Sequence, residues 1–154
     1  MVGYSAEHVK YEFEMFLWLG QVCGNPAVKI AASGKADVIC LNNALIEAFA
    51  VHVRNVIDFL YLEDPKPTDV VAADFLDPGV WRQICPDISP SLSAARKRAN
   101  KEIAHLTTDR IAGSPPEKGW DFRALVTELK PLLQFFATKA PPTRCSQSVA
   151  AAVC

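Results

Sequence analysis

The sequence has little of several features that mark particular classes of protein. Lys and Arg number 16 against 17 Asp and Glu, for a formal net charge of -1, so the chain lacks the basic excess of proteins that bind duplexes without regard to sequence. It also lacks the roughly 18 uninterrupted apolar residues that a membrane span requires. Its richest apolar stretch is broken by polar residues: Glu47, His52, Arg54 and Asp58. We therefore expect neither DNA nor a membrane among its partners.

The cysteines and the N-terminal segment give no indication of secretion or of a metal site. The five cysteines form no Cys-x-x-Cys pair, and no Cys/His cluster has the spacing of structural zinc. The first residues lack the charged start and the apolar run of a secretory signal. Glu102 and His105 form the single Glu-x-x-His pair, whereas a di-iron bundle needs two. We expect a cytoplasmic protein with reduced thiols, no metal and no other cofactor.

Helical periodicity dominates the chain. Apolar residues recur every three or four positions, and no segment alternates with the period of two that a half-buried strand shows. The segment from Lys35 to Leu62 is apolar almost all the way round, which indicates a long helix buried at the centre of the fold. The spacing predicts these principal helices, with compact helical turns between the second and the third: Ser5–Val22, Lys35–Leu62, Ser89–Ile111 and Asp121–Ala137.

These helices predict an all-α bundle of four or five helices, with the long helix at its centre, in a single domain over residues 1–139. Pro131 lies inside the last helical pattern, so we predict that this helix kinks or divides in two. Residues 140–154 are rich in proline, serine and alanine, and we predict a disordered or frayed tail there.

The helix predicted over 89–111 contains the densest set of polar residues. On a helical wheel, four of them fall within about 60° of one another beside the apolar seam: Arg98, Glu102, His105 and Asp109. The backbones of Arg98 and His105 are about 10 Å apart along the axis, so both side chains can reach one phosphate. Arginine supplies a permanent charge with forked donors, and histidine can move a proton near neutral pH. The pair therefore suits metal-free cleavage of RNA by its own 2′-hydroxyl.

With this motif the chain resembles the HEPN superfamily, small all-α proteins whose ribonuclease members carry Arg, four to six residues, and then His on a late helix. Six residues separate Arg98 from His105, and Asn100 and Lys101 follow the arginine closely, although Ala99 stands where the family pattern commonly has a polar residue. The resemblance implies a metal-independent endoribonuclease in which Arg98 stabilises phosphate charge, His105 moves the proton and Asn100 orients the phosphate or the histidine. It also implies a homodimer with the active site at its interface. Because other members bind without catalysis, the alternative is a noncatalytic interaction module.

The same residues have a simpler interpretation. Arg98 with Glu102, and His105 with Asp109, are spaced four residues apart, as are many ion pairs on solvated helix flanks. The one basic cluster either holds an RNA backbone or is a solvated face, and it comprises Arg96, Lys97, Arg98 and Lys101.

Polar residues also interrupt the long second helix. His52 lies in its apolar arc, which predicts a buried side chain hydrogen-bonded to one partner, or else a supporting residue of the site beside His105 or Asn100.

A polar stripe runs along the opposite side of the same helix, through Glu47, Arg54 and Asp58. It predicts either a salt-bridged network that fixes the helix register or a polar face at a homodimer contact, and Arg54 alternatively joins Arg98 at a phosphate.

Overall fold

The computed structural model describes residues 2–25, 34–103, 119–145 and 147–154. Within these ranges the chain contains helices and no strand, so the fold is all-α as the sequence predicts. A 3-10 turn at Ala72–Phe75 precedes the third helix, and a π-helical turn at Ala99–Ile103 continues the fourth. The α-helices are α1 Val2–Gly24, α2 Lys35–Tyr61, α3 Val80–Ile84, α4 Pro90–Arg98, α5 Phe122–Lys139 and α6 Gln147–Val153.

Aromatic rings from five elements meet at the centre of the bundle. Phe136 of α5 is fully buried, and its ring centroid lies 5.0 Å from Phe59 of α2 and 6.3 Å from Phe13 of α1. On its other sides Phe136 contacts Phe75 of the 3-10 turn at 5.8 Å and Trp81 of α3 at 5.7 Å. These four pairs are edge-to-face, the geometry that the ring quadrupole favours. The cluster therefore joins the long helices to the connector between α2 and α4.

The two halves of α2 differ in their surroundings. The C-terminal half supplies the core, where Val53, Val56 and Ile57 are each 0% exposed. In the N-terminal half the side chains are exposed or half-buried, and Ile39 is 52% exposed. The predicted central burial is thus confirmed for the second half and wrong for the first. A helical wheel reports which faces are apolar, but it does not report whether neighbours extend along the whole helix.

By length and composition alone, α2 is the one helix in the described part of the chain that could cross a membrane. Its C-terminal half nevertheless packs inside the bundle, and one charged residue of that half, Asp58, is paired with an arginine of α4. Of the 18-residue apolar window that meets this criterion, 22% is buried inside the bundle.

The helix starts at α4 and α5 form as predicted. Ser89 Oγ accepts a hydrogen bond from the Leu92 N–H at 3.1 Å, and Asp121 Oδ1 accepts one from the Ala124 N–H at 2.9 Å. Each side chain satisfies one of the amide groups that the first turn of a helix leaves without an internal partner.

Pro131 does not divide α5, which runs as a single helix from Phe122 to Lys139. Proline has no N–H to donate within the helix, but Leu129 and Leu133 on either side of it are both 0% exposed. Their burial against the core offsets the lost hydrogen bond. The alternative of a division was therefore wrong.

The predicted tail is also partly wrong. Residues 147–153 form α6, which packs on α1 and α5 and buries Val149 and Val153. Gln134 of α5 donates a hydrogen bond to the Val153 carbonyl at 2.9 Å, and Lys130 donates one to the Cys154 carbonyl at 3.3 Å. The composition suggested disorder, but alanine is the strongest helix former and the two valines are four residues apart on one face.

Candidate functional site

Arg98, the predicted phosphate-binding residue, lies at the C-terminal end of α4 with its guanidinium held from two sides. Its Cζ is 4.3 Å from the centroid of the Trp120 ring, and Nη1 donates to the Gly119 carbonyl at 2.9 Å. Trp120 directly precedes Asp121, the N-cap of α5, and its ring packs edge-to-face with Phe49 of α2 at 6.1 Å. The cation–π contact and the hydrogen bond together hold a half-buried guanidinium in one orientation.

The predicted partners of Arg98 on the same helix cannot be placed. The Glu102 side chain, His105 and Asp109 lie outside the described part of the chain. The backbone after Arg98 departs from the α-helix, because Ala99–Ile103 form a π-helical turn. A wheel that advances 100° per residue does not apply within such a turn. π-helical turns of this kind occur frequently at functional sites.

The basic cluster on α4 is divided between two surfaces. Lys97 and Lys101 are exposed, whereas Arg96 turns toward α2. Its Nε donates to Asp58 Oδ1 at 2.5 Å, and Arg54 Nε lies 3.3 Å from Asp58 Oδ2. Of the residues predicted to form a salt-bridged stripe on α2, Arg54 and Asp58 are paired along the helix, and Arg96 of α4 joins them across the helix contact.

The Arg54–Asp58–Arg96 network lines a cavity of about 590 Å³ between α1, α2, α4 and the loop after α2. Asn100 belongs to this lining and Arg98 does not. The structure therefore places Asn100 with Arg54 and Arg96, and the predicted meeting of Arg54 with Arg98 is not observed. Glu47 lies two turns before Arg54 at an exposed position of α2.

His52 is buried, 8% exposed, and hydrogen-bonded, as one of the two interpretations predicts. Its Nδ1 lies 2.7 Å from Glu12 Oε2, and the same oxygen accepts a hydrogen bond from Asn55 Nδ2 at 3.1 Å. The ring of Tyr11 packs edge-on at 5.6 Å. Among the described residues, the hydrogen-bond partner of His52 is thus a carboxylate of α1.

Two residues of these contacts, Glu12 and Trp120, were not predicted from the sequence. Glu12 lies three residues after Val9 and four before Phe16, both buried, so a carboxylate on the apolar face of α1 signals a polar partner on another helix. Trp120 precedes the N-cap Asp121, where an apolar side chain commonly packs against the helix start. Both patterns are present in the sequence, but neither identifies the partner residue, which is His52 for Glu12 and Arg98 for Trp120.

A second cavity, about 980 Å³, is lined partly by Tyr61 of α2 and Cys85 at the end of α3. Burial raises the pKa of the Tyr61 hydroxyl, and the neighbouring Cys85 adds to the shift. Burial also raises the pKa of the Cys85 thiol, and this effect exceeds the lowering of that pKa by the hydrogen bond with Tyr61. Because the thiolate is the reactive form, this cysteine is a poor nucleophile at neutral pH.

Among the residues that the structure describes, no three His, Cys, Asp or Glu side chains converge as a metal site. The chain matches no model of a known protein family, no curated protein and no solved structure.

Proposed function

We propose that this protein cleaves RNA without a metal ion, at the surface formed by the C-terminal end of α4 and the start of α5. The observation that carries the proposal is the stack of Arg98 on Trp120. Arginine and aromatic planes are the groups on which proteins commonly hold unpaired RNA bases and phosphates. The exposed Lys97 and Lys101 add positive charge beside the stack.

The roles follow from the chemistry of the side chains. Arg98 stabilises the charge on the phosphate as the 2′-hydroxyl of the RNA attacks. His105 takes the proton from that hydroxyl, and it lies four residues after Lys101 in the sequence. The attack breaks the bond between phosphorus and the 5′-oxygen of the next nucleotide. That oxygen takes a proton from water and leaves as a 5′-hydroxyl, and the other product ends in a 2′,3′-cyclic phosphate.

The test is cleavage of a single-stranded RNA in the presence of EDTA. We expect Arg98→Ala and His105→Ala each to reduce the rate by about 100-fold or more, since general-base and charge-stabilising groups contribute that much. Arg82→Ala is the matched control, because Arg82 also donates one hydrogen bond to a backbone carbonyl, that of Glu63 at 2.8 Å. Circular dichroism establishes that all three variants fold.

Three results support the mechanism together: activity in EDTA, loss in both variants but not in the control, and no cleavage of an RNA with 2′-deoxyribose at the cleaved position. Activity that EDTA abolishes, or that neither substitution reduces, contradicts it.

A second candidate function is a noncatalytic homodimer, and the exposed N-terminal half of α2 favours it. Val38 is 41% and Ile39 52% exposed, on a helix whose other half forms the core. Apolar surface of this kind commonly marks an interface. Light scattering tests this candidate: we expect a dimer that Ile39→Lys dissociates and that Val51→Lys, at a 42% exposed position of the same helix, leaves intact. A monomer at every concentration contradicts it.

A further inference from the structure

The cavity between α1, α2, α4 and the loop after α2 has no role in the proposed cleavage. At about 590 Å³ it falls within the range of small-molecule sites. We infer that it binds a nucleotide through its phosphate, with Arg54 and Arg96 as the phosphate-binding residues and Asp58 as the carboxylate that positions them. The inference goes beyond the proposed function, because binding here requires no cleavage.

The two arginines are held together by one carboxylate. Arg96 and Arg54 approach Asp58 through their Nε atoms, at 2.5 and 3.3 Å. In the part of the chain that the structure describes, these ion pairs are the polar contacts of both guanidinium groups, and Arg54 Nε is buried without a hydrogen bond of good geometry. Two guanidinium groups share the one carboxylate of Asp58, so positive charge is in excess at this point of the wall, while Lys66, Glu12 and Asp69 bring the formal charge of the whole lining to balance. An anion that enters the cavity neutralises this charge and accepts from the terminal nitrogens, whose fork fits a phosphate.

The neighbouring carboxylates already have partners of their own. Glu12 accepts from Asn55 and lies 2.7 Å from His52 Nδ1, and Asp69 Oδ2 accepts the Lys66 N–H at 2.8 Å. Neither Glu12 nor Asp69 is paired with Arg54 or Arg96. The terminal guanidinium N–H groups of the two arginines therefore remain available to a ligand. Asn100, on the π-helical turn, contributes an amide to the same lining.

The rest of the cavity wall indicates an organic group attached to the phosphate. Val9, Leu62 and Val70 supply apolar surface to the lining, and the last of these is 40% exposed. Inorganic phosphate would leave this surface in contact with water, whereas a flat heterocyclic base covers it. The ligand class is therefore a nucleoside monophosphate, either free or as one unit of an RNA chain.

The experiment is isothermal titration of the full-length protein with AMP and, separately, with inorganic phosphate. We expect AMP to bind more tightly than phosphate, and Arg54→Gln to weaken AMP binding by about tenfold or more, because it removes charge-assisted hydrogen bonds. Arg54→Lys keeps the positive charge but loses the forked guanidinium donors, so its affinity for AMP should lie between those of the parent and Arg54→Gln. Arg82→Gln, the same change of charge on α3, should leave the affinity within about twofold of the parent.

Arg96→Gln gives a second test of the phosphate-binding arginines, and it should lose as much affinity for AMP as Arg54→Gln does. If this variant does not fold, the Arg54 variants decide alone, since Arg54 pairs within its own helix. Thermal melts followed by circular dichroism establish which variants are folded.

The two sources of the phosphate are distinguished by competition. If a single-stranded RNA displaces AMP, the ligand is a unit of an RNA chain. If it does not displace AMP, the ligand is the free nucleotide. Absence of AMP binding, equal affinity for AMP and phosphate, or equal affinity of the parent and Arg54→Gln overturns the inference. AMP binding without any RNA cleavage overturns the proposed function alone.

Discussion

The cysteines differ in their access to solvent, and this difference predicts their reactivity. Cys40 and Cys154 are exposed, whereas burial raises the pKa of the Cys23, Cys85 and Cys145 thiols. A raised pKa lowers the thiolate fraction at a given pH, so these three thiols should react slowly at about pH 8 and faster as the pH rises. Mass spectrometry of iodoacetamide-labelled peptides should therefore show Cys40 and Cys154 modified first.

The control is the same labelling in denaturant, where all the cysteines should react at similar rates. Labelling of Cys85 or Cys145 as fast as Cys40 in the folded protein would contradict the burial that the structure shows.

Individual residues could be predicted from the sequence as far as their own helix determines them. His52 was predicted to be buried and hydrogen-bonded because it lies in an apolar arc, and this is confirmed. Its partner, Glu12, is 40 positions away, and periodicity within one helix does not specify which face of another helix it meets. The same reason applies to Arg96, which was assigned to a basic cluster and instead pairs with Asp58.

At the scale of helices, α1 and α5 approach closely at a glycine. A Cβ added at Gly20 would overlap the Val126 side chain of α5. We predict that Gly20→Ala lowers the free energy of unfolding by about 1–3 kcal/mol, since overpacking a core contact outweighs the higher helix propensity of alanine. Chemical denaturation measures this change.

The matched control for that contact is Val126→Ala, which removes the overlapping atoms. The double variant Gly20→Ala with Val126→Ala should be more stable than the sum of the two single effects predicts. Additive effects would show that the two positions are not in contact.

The ion pair between α2 and α4 predicts a second stability effect. Asp58→Asn removes the carboxylate from between two arginines whose side chains are 30% and 39% exposed, so we expect a loss of about 1–3 kcal/mol in the free energy of unfolding. Asp77→Asn is the control, because the Asp77 side chain is 77% exposed and its pair with Arg144 should contribute less than about 0.5 kcal/mol. Equal losses in thermal melts of the two variants would contradict this assignment.

The principal helices could be predicted because their ends carry strong local signals. Ser89 and Asp121 cap α4 and α5 as expected, and α2 begins at Lys35. The π-helical turn at Ala99–Ile103 could not be predicted, since no residue in it forbids an α-helix. The turn packs on α2, and tertiary contacts of this kind can override local propensity.

At the scale of the whole molecule, α6 packs on α1 and α5 and completes the core of the bundle. Val149→Ala should lower the free energy of unfolding by about 1–3 kcal/mol, because Val149 is 0% exposed. Ala151→Ser, at an exposed position of the same helix, should change it by less than about 0.5 kcal/mol. Equal stability of both variants and the parent is the result expected of a disordered tail, and it would contradict the packing of α6.

The all-α class was predictable because periodicity alone determines it, whereas the extent of the bundle was not. Residues 147–153 have the composition of a loose tail, and the packing of two valines against α1 and α5, with hydrogen bonds from Gln134 and Lys130, makes them part of the fold. The N-terminal half of α2 shows the converse, since its apolar sequence predicted burial and Ile39 is exposed.

The stack of Arg98 on Trp120 also makes the proposed RNA surface observable by intrinsic fluorescence. The chain has three tryptophans in different settings: Trp18 is 49% exposed, Trp81 is 4% exposed and Trp120 lies beneath a guanidinium. Replacing Trp18 and Trp81 by phenylalanine leaves one tryptophan, whose quantum yield depends on the cation above its ring. A ligand that draws Arg98 away from the ring therefore changes the emission of the protein itself, without any attached dye.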